Sequence, residues 1–210
     1  MKRLENKPST IYDAQIIIYY CFLYKNHRII ELTGKSRILT EFLIKNNVKI
    51  IVPESIITEI KMKGFGKIIS DYTSSKSTIE IIGLKNYPTS WLKYRLKTKI
   101  EGNFNKMVNK NWFEVRPYTP QENSIDSIRT FFENIENEEK LQSFLTKKRR
   151  ENPVPSRTDM ELISFSKEIS SPIISNDYDI TCFAEELLQN GLSDKIYAFK
   201  ELDFYNNWLF

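Results

Sequence analysis

The sequence predicts an α/β protein whose parallel sheet is covered by helices on both faces, a three-layer α/β/α sandwich. Two observations predict it. Short apolar runs alternate with helix-length segments, the pattern of repeated βα units. The run VKIIV at 48–52 is apolar apart from Lys49, as expected of a strand buried on both faces.

The elements follow in order. Thr10–Asp13 reads as a short strand, and AQIIIYYCFLY, apolar on nearly all sides, as a buried helix starting just after it. Ser36–Lys45 is helical and ends at Asn-Asn. After VKIIV, Pro53 opens the helix ESIITEIKMK, with Ile56, Ile57 and Ile60 as its inner stripe. Residues 64–154 read as an insertion, bounded by Gly64 and Gly66 at one end and Pro153 and Pro155 at the other. Within it TIEII (78–82) suits a strand, while WLKYRLKTKI, SIDSIRTFFENI and EEKLQSFLTKKRR suit helices. The core pattern then returns. Ser156–Ser170 is a helix capped by Ser156 or Thr158, PIISN (172–176) a strand, Asp179–Gln189 a helix stopped at Asn190-Gly191, and KIYAF (195–199) a last strand. The domain organisation expected is therefore a single domain, 1–210, with core segments 9–63 and 155–200 and a basic, mainly helical insertion at 64–154.

Two Cys and one His nearly exclude a metal site built on sulfur or imidazole, and they suit reduced, buried thiols. Six Gly argue against a glycine-rich phosphate cradle. The N-terminal MKRLENKPST is too polar for a signal peptide, and the longest apolar run, Ala14–Leu23, is too short to span a bilayer. A cytoplasmic protein with no membrane partner is expected.

In a parallel α/β sheet, ligands bind beyond the carboxyl ends of the strands. Asp13 ends the first strand, and Asp177 directly follows PIISN. Asp179 opens the next helix, where a capping role competes with a ligand role. Glu59 and Asp159 lie early in helices that start near the same edge. Carboxylates gathered in one cleft repel each other unless a cation balances them, and Mg²⁺ or Mn²⁺ prefers such oxygen donors.

These stretches resemble the PIN domain family of metal-dependent ribonucleases. The matching segments are IYDAQIIIYY, KIIVPESIITEIKMKG, SRTDMELISFSKEI and SPIISNDYDITCFAEEL. They cover about 9–63 and 155–200. The resemblance implies a PIN-like fold and hydrolysis of RNA phosphodiester bonds with one or two Mg²⁺ or Mn²⁺ ions. It implies Asp13, Glu59, Asp159 and Asp177 as catalytic metal ligands, Asp179 as an auxiliary ligand, and Ser175 and Asn176 as supporting residues. Where the family follows its first acid with Ser or Thr and then Asn, this chain has Ala14-Gln15, which removes a hydroxyl that could orient a ligand. Asp159 follows Glu59 by 100 residues, longer than in small toxin nucleases. That spacing makes an antitoxin partner less expected. The size and order of elements resemble longer members, similar to minimal protein-only ribonuclease P, which act in RNA processing.

From Lys85 to Lys110 the chain carries a net +6, against +4 overall. That concentration suits a phosphate backbone, with Lys93, Arg95, Lys97 and Lys99 as candidate RNA contacts. Trp91, Tyr94, Phe104 and Trp112 lie in or beside this segment, and any one of them suits either base stacking or the core. Lys148, Arg149 and Arg150 form a second candidate patch. His27 has no role in such a mechanism. The apolar tail, with Phe204, Trp208 and Phe210, leaves a homodimer open. The function expected is a metal-dependent endoribonuclease. The alternatives are an RNA-binding protein with a degenerate site and a toxin-type ribonuclease.

Overall fold

The computed structural model describes residues 8–21, 27–61 and 88–202. Five strands pair in parallel in the order β3-β2-β1-β4-β5. They are β1 (Ser9–Tyr12), β2 (Lys49–Pro53), β3 (Phe113–Arg116), β4 (Ile173–Ser175) and β5 (Ile196–Ala198). β1 lies at the centre, with Thr10 opposite Ile50 on one side and Tyr12 opposite Ile174 on the other. The chain runs outward from β1 through β2 to β3, then crosses back to place β4 on the other side of β1. The strand order reverses between β1 and β4, and there the loops leaving the carboxyl edge diverge to open a crevice.

Helices α1 (Ala14–Cys21), α2 (His27–Lys45) and α4 (Thr89–Val108) belong to the outward crossovers, and α1 packs against both of the others. Right-handed crossovers put the returning helices on the opposite face. There α5 (Glu122–Glu133) packs on α7 (Arg157–Ile169). Between β2 and the crevice, the short α3 (Glu54–Glu59) packs on α7. Ile16, Ile17, Ile18 and Cys21 are buried, as expected of a helix apolar on nearly all sides. Tyr12 is fully buried at the centre of the sheet, and its hydroxyl meets Thr40 Oγ1 at 3.0 Å, so no polar atom is stranded there. Cys21 and Cys182 are free thiols. Among the described residues no helix is long and apolar enough to cross a membrane.

Three expectations change. The interval read as an insertion contributes β3 to the sheet, paired with β2 from Ile50–Phe113 to Pro53–Arg116. FEVR was illegible as a strand because it lies on the sheet edge. Glu114 and Arg116 stay partly exposed there, paired with each other, and Lys49 also pairs with Glu114. The helix expected over Asp179–Gln189 is two helices, α8 (Tyr178–Thr181) and α9 (Ala184–Gln189). At the break Phe183 is fully buried against Phe132 of α5 and Phe144 of α6 (Glu138–Lys148). α9 does stop where expected, with Gly191 left-handed at φ 62. The helix expected over Ser36–Lys45 begins earlier, at His27. TIEII, Lys85 and the apolar tail lie outside the described residues.

Candidate functional site

Asp13 follows β1 at the reversal point. Its backbone N–H donates to Ile174 O (3.1 Å), which ties it to β4, and its side chain is buried. The Ser175 hydroxyl, at the end of β4, donates to Asp13 Oδ2 at 2.7 Å and accepts from the Asp177 N–H at 2.9 Å. One buried hydroxyl therefore holds two of the acids. Ala14 brings no hydroxyl, and the one beside Asp13 comes from the neighbouring strand. Gln15 has its own part: Asn176 Nδ2 donates to Gln15 Oε1 (3.2 Å) and to Tyr19 Oη (3.1 Å). Gln15 and Tyr19 stand one helical turn apart and grip Asn176 together.

Asp159 and Asp177 both serve as local structure. Asp159 closes a capping box at the start of α7. Its Oδ2 accepts from the Ser156 N–H (3.0 Å) and hydroxyl (2.7 Å), and its own N–H donates to Ser156 Oγ (3.3 Å). Asp177, not Asp179, caps α8, with Oδ1 accepting from the Asp179 N–H at 3.0 Å. Each of the three acids thus commits one oxygen to the fold: Oδ2 of Asp13, Oδ2 of Asp159, Oδ1 of Asp177. The other oxygen of each is the one through which it would serve an ion.

The electrostatics divide the cluster. Burial is the main force raising the Asp13 carboxyl, to about 7; the Ser175 bond opposes it, and the charges of Asp159 and Asp177 add to it. Asp159 is pushed up to about 6, first by burial, then by Asp177 and Glu59, against its bonds to Ser156. The charges of Glu59, Asp159, Asp177 and Asp13 therefore reach one another across the crevice, with Glu59 acting on Asp159. On the other side, Lys148 Nζ lies 2.9 Å from Asp177 Oδ1 and 2.6 Å from Asp179 Oδ1, and Arg150 lies 2.8 Å from Asp179 Oδ2.

Among the described residues, no three Asp, Glu, His or Cys side chains stand as a ready cage for one ion. The physical reason is local. Asp13 and Asp159 have turned an oxygen to neutral donors, and Asp177 to a backbone N–H and to Lys148. The donor chemistry still fits a hard divalent cation: oxygen ligands only, two of them with raised proton affinity and neutral partners.

The basic residues also divide. Lys148 and Arg150, expected to contact RNA, are engaged with acids, while Arg149 between them is exposed. On α4, Arg95 stacks over Trp91 at 5.0 Å, Lys97 lies 3.8 Å from Glu101, and the Lys99 side chain is exposed. The Lys93 side chain lies outside the described residues. Phe104 is core and Trp112 packs edge-on against Tyr20 (6.0 Å), whereas Tyr94 is 69% exposed. Tyr94, Arg95, Thr98 and Lys99 line one surface groove. A second groove, of ≈ 310 Å³, gathers Lys106 and Lys110 with Arg37 and Tyr20. Tyr20 lies seven residues after Asp13, a rise of roughly 10 Å along α1. Sequence reasoning missed Arg37, which joins those lysines only through the packing of α2 and α4 around α1.

No protein-family model matches the chain, and no curated protein matches it. Among solved structures, a chain of VapBC2 from Rickettsia felis, crystallised bound to a DNA fragment from their promoter, overlaps with a TM-score of 0.43 at 8% identity. The overlap covers 90% of this chain and 97% of that one. The likeness is too distant to carry a functional argument.

Proposed function

We propose that the protein is a divalent-metal-dependent nuclease that hydrolyses RNA phosphodiester bonds at the carboxyl edge of its sheet. The observation that carries this reading is the pair Asp13 and Asp159. Both are acids at the crevice of a parallel sheet, both are held by neutral donors, and both have raised proton affinity, first through burial and then through the charge of Asp177. Asp13, Glu59, Asp159 and Asp177 are the proposed ligands for Mg²⁺ or Mn²⁺. When bound, such an ion supplies positive charge to the phosphate and lowers the pKa of a coordinated water.

The chain's own residues do the rest. Ser175 keeps Asp13 in one rotamer, and Asn176, gripped by Gln15 and Tyr19, fixes the loop that carries Asp177. The exposed face of α4 positions RNA through Arg95, Lys97 and Lys99, with Tyr94 as a stacking surface for an unpaired base. These are backbone and stacking contacts, which place a strand without reading its sequence. The residues support RNA over DNA through the PIN resemblance, and the assay must separate the two.

The test is cleavage of precursor transfer RNA, unstructured RNA and single-stranded DNA with Mn²⁺, Mg²⁺ or chelator, by wild type and Asp177→Asn. RNA cleavage that needs metal and disappears in the variant is expected. RNA binding in chelator with no cleavage under any metal would replace the nuclease by an RNA-binding protein with an idle site.

A further inference from the structure

The last residue of α6 and the turn that follows it bring two cations to the acids. α6 ends because Arg149 adopts the left-handed conformation at φ 54, ψ 48. That turn separates Lys148 from Arg150, and the two reach opposite oxygens of the same carboxylate. Lys148 meets Asp179 Oδ1 at 2.6 Å and Arg150 meets Asp179 Oδ2 at 2.8 Å. Asp179 is only 3% exposed, so its carboxylate is shielded from water; at Oδ1 the contact with Lys148 is one of charge, without hydrogen-bond alignment. Lys148 reaches Asp177 Oδ1 as well, at 2.9 Å. Two cations thus balance two carboxylates on this side of the crevice. On the other side Asp13 and Asp159 rest on Ser175 and Ser156, which bring no charge.

We propose that Lys148 and Arg150 are resident cations that keep Asp179 out of ion coordination, so that the crevice accepts one divalent ion, on the Asp13–Asp159 side, and not two. The inference rests on the metal-dependent reading above. It makes the two residues determinants of metal capacity rather than contacts for RNA. It also assigns Lys148 a competitive role: an ion that uses Asp177 meets a carboxylate already shared with an ammonium group. A well-placed ammonium group supplies a single charge where a second metal would supply two, and it cannot be removed by chelation.

α6 has its own anchor, so removing the charges need not undock it. Phe144 of α6 is fully buried, stacks on Tyr178 at 5.7 Å and packs on Phe183 at 5.2 Å; Lys147 Nζ lies 3.5 Å from the centre of the Tyr178 ring.

The experiment is a Mn²⁺ titration of the full chain by calorimetry, with spin coupling between paired Mn²⁺ ions read by electron paramagnetic resonance. Wild type, Lys148→Arg, Lys148→Met and the double variant Lys148→Met/Arg150→Met are compared, each checked by circular dichroism. Wild type and Lys148→Arg are expected to bind one ion without coupling. The double variant is expected to bind two, with coupling. Lys148→Met alone is expected to bind its ion at least tenfold tighter, which decides the matter if the double variant does not fold. Two ions in wild type, or unchanged stoichiometry and affinity in the folded variants, would overturn the proposal while leaving the metal site standing. A flat titration for every form would remove the metal site itself, and this inference with it.

Discussion

The two sides of the acidic crevice handle the same problem in opposite ways. Asp177 and Asp179 are neutralised from within, by Lys148 and Arg150. Asp13 and Asp159 are given only hydroxyl and backbone donors, and they answer by holding protons more tightly. Burying a charge is costly unless it is paired, and a carboxyl without a cation shifts its pKa instead. The comparison teaches that the paired side is finished as a piece of structure, whereas the unpaired side is complete only with a proton or a cation added from outside.

Substituting Asp13 breaks the comparison most severely. Asp13→Asn is expected to abolish metal-dependent cleavage and to weaken Mn²⁺ binding by at least about 100-fold, the upper end of what loss of a mere supporting partner costs. The same change should stabilise the metal-free protein at alkaline pH. The unfolded carboxyl titrates near 3.8 and the folded one near 7. Below the first value both states hold the proton and nothing is lost. Between the two only the unfolded chain ionises, so stability falls as pH rises. Above the second the penalty is complete, at most about 4 kcal/mol. Chemical denaturation of both proteins in chelator at pH 5 and pH 8 checks it: the variant's advantage should grow with pH.

Metal binding must displace those protons. The stabilisation by Mn²⁺, read as a shift in Tm, is expected to be small at pH 5.5 and to grow through pH 6–7, as Asp159 and then Asp13 give up their protons. A shift that is flat across this range would show that neither acid serves the ion.

Asp177 sharpens the contrast, since it is both a cap and a proposed ligand. Asn is as good an N-cap as Asp, so Asp177→Asn should lose cleavage with little change in metal-free stability, while Asp177→Ala should lose cleavage and about 1 kcal/mol besides. Ser175→Ala should weaken Mn²⁺ binding by about 10–100-fold, because Asp13 is then no longer held in one orientation. The smallest effect expected is that of Tyr94→Ala on α4. It should reduce affinity for single-stranded RNA by about 1 kcal/mol, the low end of what one stacked base contributes, with metal binding untouched. Filter binding in chelator measures it, and an unchanged Kd would remove Tyr94 from the RNA path.

Much of this molecule was legible in the chain. The apolar VKIIV and PIIS runs, the acids directly after two strands, and the Ser156 cap could be read because each depends on neighbours within a few residues. Local periodicity and capping chemistry carry that information. The order of the strands was not legible, nor was the recruitment of FEVR to the sheet edge. A four-residue strand with two charges has no signal of its own until β2 offers it a partner. Nor could the sequence say which acids would be paired. Lys148 and Arg150 read as RNA contacts in a basic run, and Asp179 read as either a cap or an auxiliary ligand, whereas Asp177 takes the cap. Only the packing of α6 against the β4–α8 loop brings those cations to those carboxylates, across separations of 29 to 31 residues. Side-chain pairing at that range is decided by where helices dock, and docking is a property of the whole core.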